Sequence, residues 1–260
     1  MINIMYHRIG GSKKLKGITK KNFIKQISYL KKRYGLPNIN FTFDHGTIDH
    51  YFLAAKELEK IGARGIFFIL SSIPENLKIP SEDKQRRIES LSRKKLAREL
   101  CKSFKFKYNP NTAKKYLKRF KFYSLEERYL RYLRNEKLSR KQYEKFIDKQ
   151  YKKKFGNDYN YIKKNYMNWK HIINLKNRGH KIGSHSHDHY GDKNDYKKSL
   201  NILKRKIKKN VNLISYPNGN KIISDKDLKS LGVLKGFTTN TKNNKNKFYT
   251  PRFDCNQIKI

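Results

Sequence analysis

Apolar residues along the chain alternate between short continuous runs and stripes at helical spacing, and the order of the two predicts an α/β architecture. The run Ile2–Tyr6 reads as a strand. Phe23, Ile27, Leu30 and Tyr34 then recur on one face of a helix opened by Thr19 and closed by Gly35. A β-rich stretch at 39–43 leads into a turn at Asp44-His45-Gly46. Residues 49–60 read as a helix stopped by Gly62, and 65–70 as a buried strand.

From 78 to 165 the pattern changes. Glycine nearly vanishes, Lys, Arg and Tyr dominate, and two capping-box spacings occur, Ser124 with Glu127 and Ser139 with Gln142. Leu125, Tyr129 and Leu130, then Tyr143 and Ile147, form apolar stripes. These features predict a basic helical insertion within one domain spanning 1–260, packed as a cap beside the mouth of that domain.

From 166 onward the alternation resumes: a helix ending at Gly179, a strand at 181–184, a lysine-rich helix at 195–209, and a strand at 211–215. A turn at 216–220, a helix near 224–231, and strands near 235–239 and 248–253 follow. Parallel crossovers of this kind close either into an α/β barrel or into an open doubly wound sheet. In both, the chemistry gathers just past the C-terminal ends of the strands. Asp44-His45, His185 to His189 and Tyr216 to Asn218 all occupy that position.

Charge and composition narrow the setting. The formal net charge is +42, with lysine far more abundant than arginine, which suits anionic glycans, phosphate or anionic lipid head groups. Asn, Tyr and Ile are also plentiful, a profile that AT-rich coding produces by itself. No nucleic-acid-reading motif accompanies the charge, so no specific nucleic-acid partner is expected. No apolar run is long enough to span a bilayer, although peripheral contact with an anionic membrane fits the charge. The stretch at 1–11 lacks a secretory leader pattern. Cys101 and Cys255 make no disulfide framework, so free thiols and a cytoplasmic location are expected.

The chemistry lies in the histidines. Of eight in the chain, three fall within residues 183–190. His185 and His189, four apart, can meet one divalent transition ion, zinc foremost, with cobalt or nickel as alternatives. Asp44 could take a proton from water acidified by that ion. Backbone N–H groups in the turn at 216–219 could stabilise an oxyanion. Together these describe metal-assisted hydrolysis of an amide or ester.

The same residues resemble the polysaccharide deacetylases, the NodB-homology carbohydrate esterases. Thr42-Phe43-Asp44-His45-Gly46 resembles that family's Thr/Ser-Phe-Asp-Asp-Gly motif, and His185-Ser186-His187-Asp188-His189 its His-Ser/Thr-x-x-His motif. Tyr216-Pro217-Asn218-Gly219, the stretches at 236–241 and 250–253, and the opening at 5–8 are further points of similarity. The resemblance covers about 1–77 and 166–255.

It implies a distorted (β/α) barrel and a metal-dependent deacetylase that hydrolyses an N- or O-acetyl group on a sugar or surface-glycan precursor, with lipid or phosphate linkage suited to the charge. Such an enzyme acts on carbon–nitrogen bonds other than peptide bonds. The resemblance also implies Asp44 as general base, oriented by Arg252. His185 and His189 become metal ligands, and Tyr216, Pro217 and Asn218 a substrate-binding turn with the Asn218 N–H near the oxyanion.

His45 replaces the family's second aspartate, which points to a three-histidine metal site. The family's late Leu-x-His motif and its Arg-Pro-Pro form have no counterpart, leaving His7 as the available general acid. His187 is expected on the surface or behind the ligands. The competing reading is a catalytically silent relative that binds glycans or other anionic partners.

Overall fold

Among the described residues eight short strands form in chain order, β1 (Ile2–Tyr6), β2 (Ile39–His45), β3 (Gly65–Ile69), β4 (Lys181–Ser184), β5 (Leu213–Ser215), β6 (Lys235–Thr238), β7 (Thr250–Pro251) and β8 (Phe253–Asp254). The computed structural model describes residues 1–10, 17–118, 123–239 and 246–258, with 92 and 93 described by backbone alone. Every strand pair is parallel, and the order is β7-β6-β5-β4-β3-β2-β1-β8. Only Arg252 separates β7 from β8, yet β7 pairs with β6 and β8 with β1, at opposite ends of that order. One extended segment can reach both edges only if the sheet curls round on itself. The result is a nearly closed, distorted (β/α) barrel, as expected.

Helices alternate with these strands. The first, α1 (Lys20–Tyr34), is capped by the Thr19 side chain, which accepts from the Asn22 N–H. It buries Phe23, Ile27 and Leu30 and stops at Gly35, whose φ of 72° favours glycine. Each such burial contributes about 1.5–3 kcal/mol. Between β2 and β3 a wide π-helical turn, His50–Ala55, precedes α2 (Lys56–Lys60), where the pattern had suggested one regular helix. After β3 comes α3 (Ser72–Asn76).

The chain divides into two compact units, one made of residues 1–79 and 158–260 and the other of 80–157. The second holds α4 (Ser81–Ser103), α5 (Pro110–Lys115), α6 (Leu125–Tyr132) and α7 (Arg140–Phe155). Both capping boxes, at Ser124 and Ser139, are formed. Its core gathers Ile88, Leu96, Leu100, Leu130, Phe146 and Ile147. The first unit resumes with α8 (Tyr159–Asn165), α9 (Trp169–Asn177), α10 (Lys193–Ile207) and α11 (Asp225–Ser230).

Strand alternation separates the barrel's outer and inner faces. Ile4, Tyr6, Phe41, Phe43, Phe67 and Ile69 join the main core beneath the helices. Ile66, Phe68 and Phe237 pack as a separate small cluster, together with Leu213. Gly183 makes room for Phe68: a Cβ there would lie 2.4 Å from the Phe68 ring. Polar groups share the inner-face registers of β1 and β2, namely Asn3, Thr42 and Asp44.

Three strands differ most from the sequence pattern. β2 runs on through Asp44 and His45, because both pair with Phe68 and Ile69 of β3. β5 begins only at Leu213. The strand expected at 248–253 splits into a tight turn (Lys247–Tyr249), β7 and β8, because it serves both edges of the sheet.

Candidate metal centre

His45 ends β2 with φ 77°, and His185 follows β4 directly, its N–H donating to the Ile69 carbonyl at 2.9 Å. His189 lies four residues on, with φ 66°. All three are buried, with ring centroids 5.0–5.2 Å apart pairwise. One ring nitrogen from each lies within 4.8 Å of the others. Among the described residues no other three His, Cys, Asp or Glu side chains converge in this way. Non-glycine residues at positive φ cost on the order of 1–3 kcal/mol each. His45, Ser186 and His189 all adopt it here, so the surrounding structure must hold them.

The His185 ring is oriented from behind. Its Nδ1 meets the Ser215 carbonyl at 3.1 Å and the Ser215 Oγ at 2.6 Å. A carbonyl only accepts, so Nδ1 bears the proton and Nε2 keeps its lone pair for the centre of the cluster. Burial holds the His185 pKa well below the ordinary histidine value; Asp44 opposes this, while His45, His189 and Arg252 add to it. Three converging imidazoles suit a divalent ion of zinc, cobalt or nickel type. The donor set fits.

Asp195 braces the loop that carries two of the three histidines. Its Oδ1 accepts from the N–H groups of His187 (3.1 Å) and Asp188 (2.7 Å), and its Oδ2 from those of Tyr190 (2.7 Å) and Gly191 (2.9 Å). Neither Asp195 nor Ser215 stood out in the sequence. The available signal was an acid in the first turn of the helix after the histidines, which reads equally well as an ordinary helix start. His187 is fully buried rather than at the surface. Its ring meets Ser71 Oγ at 2.9 Å and Asn76 Nδ2 at 3.3 Å.

Asp44 and Arg252 form a buried bidentate pair, Nη1 to Oδ1 at 2.7 Å and Nη2 to Oδ2 at 2.9 Å. Nη1 also reaches Thr42 Oγ1 at 3.3 Å. Burial alone would push the Asp44 pKa up. Arg252 chiefly, with His185 and His7, outweighs it and holds the carboxyl far below the usual range. Arg252 can do this because it lies between β7 and β8, where the sheet closes.

His7, half-buried just beyond β1, has its ring 5.4 Å from that of His45. Its carbonyl accepts from His50 Nε2 at 2.6 Å and from Thr47 Oγ1 at 3.4 Å, which ties the segment after β1 to the segment after β2.

The turn at 216–219 contributes less side chain than expected. Tyr216 is buried, its hydroxyl donating to the Phe248 carbonyl at 2.8 Å, and Pro217 is buried too. Gly191 of the histidine loop lies close to the Pro217 ring; a Cβ there would approach it to 3.0 Å. Asn218 is exposed with φ 55°. The stretch at 236–241 is described only to Thr239; 240 and 241 lie outside the described residues. Cys101 and Cys255 are both free and buried. Among the described residues no helix is long and apolar enough to cross a membrane.

No family model and no curated protein sequence matches the chain. Solved structures do. The deacetylase PplD of Streptococcus pyogenes, in complex with acetate, superposes with a TM-score of 0.56 at 13% identity, over 98% of this chain and 91% of that one. IcaB from Ammonifex degensii gives 0.55 at 15% identity, over 96% and 89% of the two chains. A de-N-acetylase from Aggregatibacter actinomycetemcomitans gives 0.54 at 14%, over 98% and 95%. The chain therefore has the polysaccharide deacetylase fold.

Proposed function

We propose that the protein is a metal-dependent hydrolase that removes an acetyl group from the nitrogen or oxygen of a sugar in a glycan or glycan precursor. One observation carries this reading: three buried imidazoles converge at the C-terminal ends of the barrel strands, where a buried Asp–Arg pair faces the same region. The fold shared with deacetylases supports it. His45, His185 and His189 would hold the ion, which when bound polarises an acyl carbonyl and makes water more acidic.

The protein's own groups then divide the proton work. Water adds to the acyl carbon and gives its proton to Asp44, which Arg252 holds ionised and oriented. A carboxylate kept this far below the ordinary range is a weak base, so it would take the proton only from water made more acidic by the bound ion and would release it to solvent afterwards. His7 supplies a proton to the departing amine or alcohol as the acyl bond breaks, releasing acetate and the deacetylated sugar. Asn218, the exposed residue of an otherwise buried turn, would offer its backbone N–H to the oxyanion. The net charge of +42 suits a substrate bearing phosphate or carboxylate.

The test is acetate release from N- and O-acetylated oligosaccharides, with metal content measured on the same samples. Wild type should carry about one transition ion per chain and release acetate. Asp44→Asn should keep its metal and lose about 10²- to 10⁴-fold in turnover. His185→Ala with His189→Ala should lose both. A wild type without metal or acetate release would favour a silent glycan-binding relative, the reading to which His45 in place of an acidic ligand lends weight.

A further inference from the structure

The loop from His185 to Gly191 must bring two imidazoles, four residues apart, to one point without the help of a helix. Its backbone N–H groups need partners once they leave the sheet, and those partners decide the loop's shape. For four of these N–H groups the partner lies on α10. Asp195, in its first turn, takes the N–H groups of His187 and Asp188 on one oxygen and those of Tyr190 and Gly191 on the other. The two pairs bracket His189. Asp195 is itself fixed, 7% exposed, with its own N–H bonded to Asp192 Oδ1 at 2.9 Å.

Ser199, one turn further along the same face, accepts from Ser184 Oγ at 2.8 Å, and Ser184 Oγ accepts from the Ser186 N–H at 3.0 Å. Between them, Tyr196 donates to the Ser215 carbonyl at 2.9 Å, the carbonyl that also meets His185 Nδ1. Three residues of one helix therefore set the loop's entry, its exit and the tilt of its first histidine.

We infer that this face of α10 is the template of the metal centre and that Asp195 is its main positioning residue, shaping the His185–His189 pair before any ion binds. The inference rests on the metal-binding reading above and adds residues that the histidine pattern does not contain. Only a carboxylate fits the role. An asparagine has one accepting oxygen, and its amide would turn two donors toward the remaining two N–H groups. One half of the bracket around His189 would open.

The experiment is a cobalt(II) titration of the metal-free full chain, followed by the visible absorption of the bound ion, for wild type, Asp195→Asn, Ser199→Ala and Leu228→Ala. Leu228 is buried in α11 and has no part in the loop, so its variant reports the effect of lost stability alone. Asp195→Asn should weaken cobalt binding by about 10- to 100-fold, the usual effect of losing a group that orients metal ligands, and should change the absorption band. Ser199→Ala should weaken it less, and Leu228→Ala should melt earlier with affinity and band unchanged. An Asp195→Asn protein that binds cobalt as wild type does would overturn the inference and leave the metal reading intact. If that variant does not fold, Ser199→Ala decides, and an unchanged affinity there overturns it. A wild type that takes up no cobalt would instead sink the metal reading together with this inference.

Discussion

Replacing Arg252 with methionine tests the electrostatics at the centre of the barrel. The Arg252 and Asp44 side chains are 0% and 2% exposed, so solvent screens their attraction little. With N···O contacts of 2.7 and 2.9 Å, charge centres about 4 Å apart interact by about 4 kcal/mol at an effective dielectric of about 20. Removing one partner of such a pair typically costs about 3–5 kcal/mol, since the other charge is left buried and unpaired.

The sign with pH follows from Asp44. In the wild type its folded pKa is depressed, so its contribution is present above the unfolded value of about 3.9 and fades only as pH falls toward the folded value, deep in acid. In Arg252→Met burial wins and the folded pKa rises above the unfolded one. The variant then loses ground as pH rises, by about 1.4 kcal/mol per unit, until its Asp44 ionises. Urea unfolding at about pH 5 and about pH 7 should show the larger deficit at the higher pH. Adding Asp44→Leu to Arg252→Met should recover much of the loss. A deficit below about 1 kcal/mol, or one equal at both pH values, would refute the argument.

Further outcomes follow from individual contacts. Gly183→Ala would place a methyl 2.4 Å from the Phe68 ring and should cost about 1–3 kcal/mol in thermal unfolding; an unchanged melt would mean the barrel interior has slack. His185 and His50 are buried with depressed pKa values, mainly through desolvation. Their contribution is present above the unfolded value of about 6.5 and declines as pH falls below it. The metal-free protein should therefore melt progressively earlier from about pH 6.5 to pH 5, and a flat profile would count against neutral buried imidazoles. His45→Ala should reduce bound metal in elemental analysis, whereas His45→Asp, which keeps a ligand of a type zinc accepts, should retain it. Full metal in His45→Ala would remove His45 from the centre.

Much of this protein is legible residue by residue, because the responsible forces act over a few neighbours. Thr19, Ser124 and Ser139 announce their helices since each cap bonds an N–H three residues on. Gly35 ends a helix by its own backbone freedom. The apolar runs at 2–6 and 65–69 read as strands from their composition. His185 and His189 stand within one short motif, and their position after a strand is visible in the chain itself.

The rest depended on partners far away in sequence. β2 runs through Asp44 and His45 because β3 supplies the ladder, and 248–253 breaks in two because it serves edges that only meet in the closed barrel. The family resemblance implies that Arg252 orients Asp44, but the contact itself spans 208 positions. Asp195 looks like an unremarkable acid in a helix's first turn until the histidine loop folds back onto it, and His187 and Tyr216 turn inward for partners no local pattern names. The sequence by itself determined the elements, their order and the histidine pair. Tertiary structure alone decided which donors and acceptors meet, because a buried polar group takes whichever partner the closed barrel sets within about 3 Å.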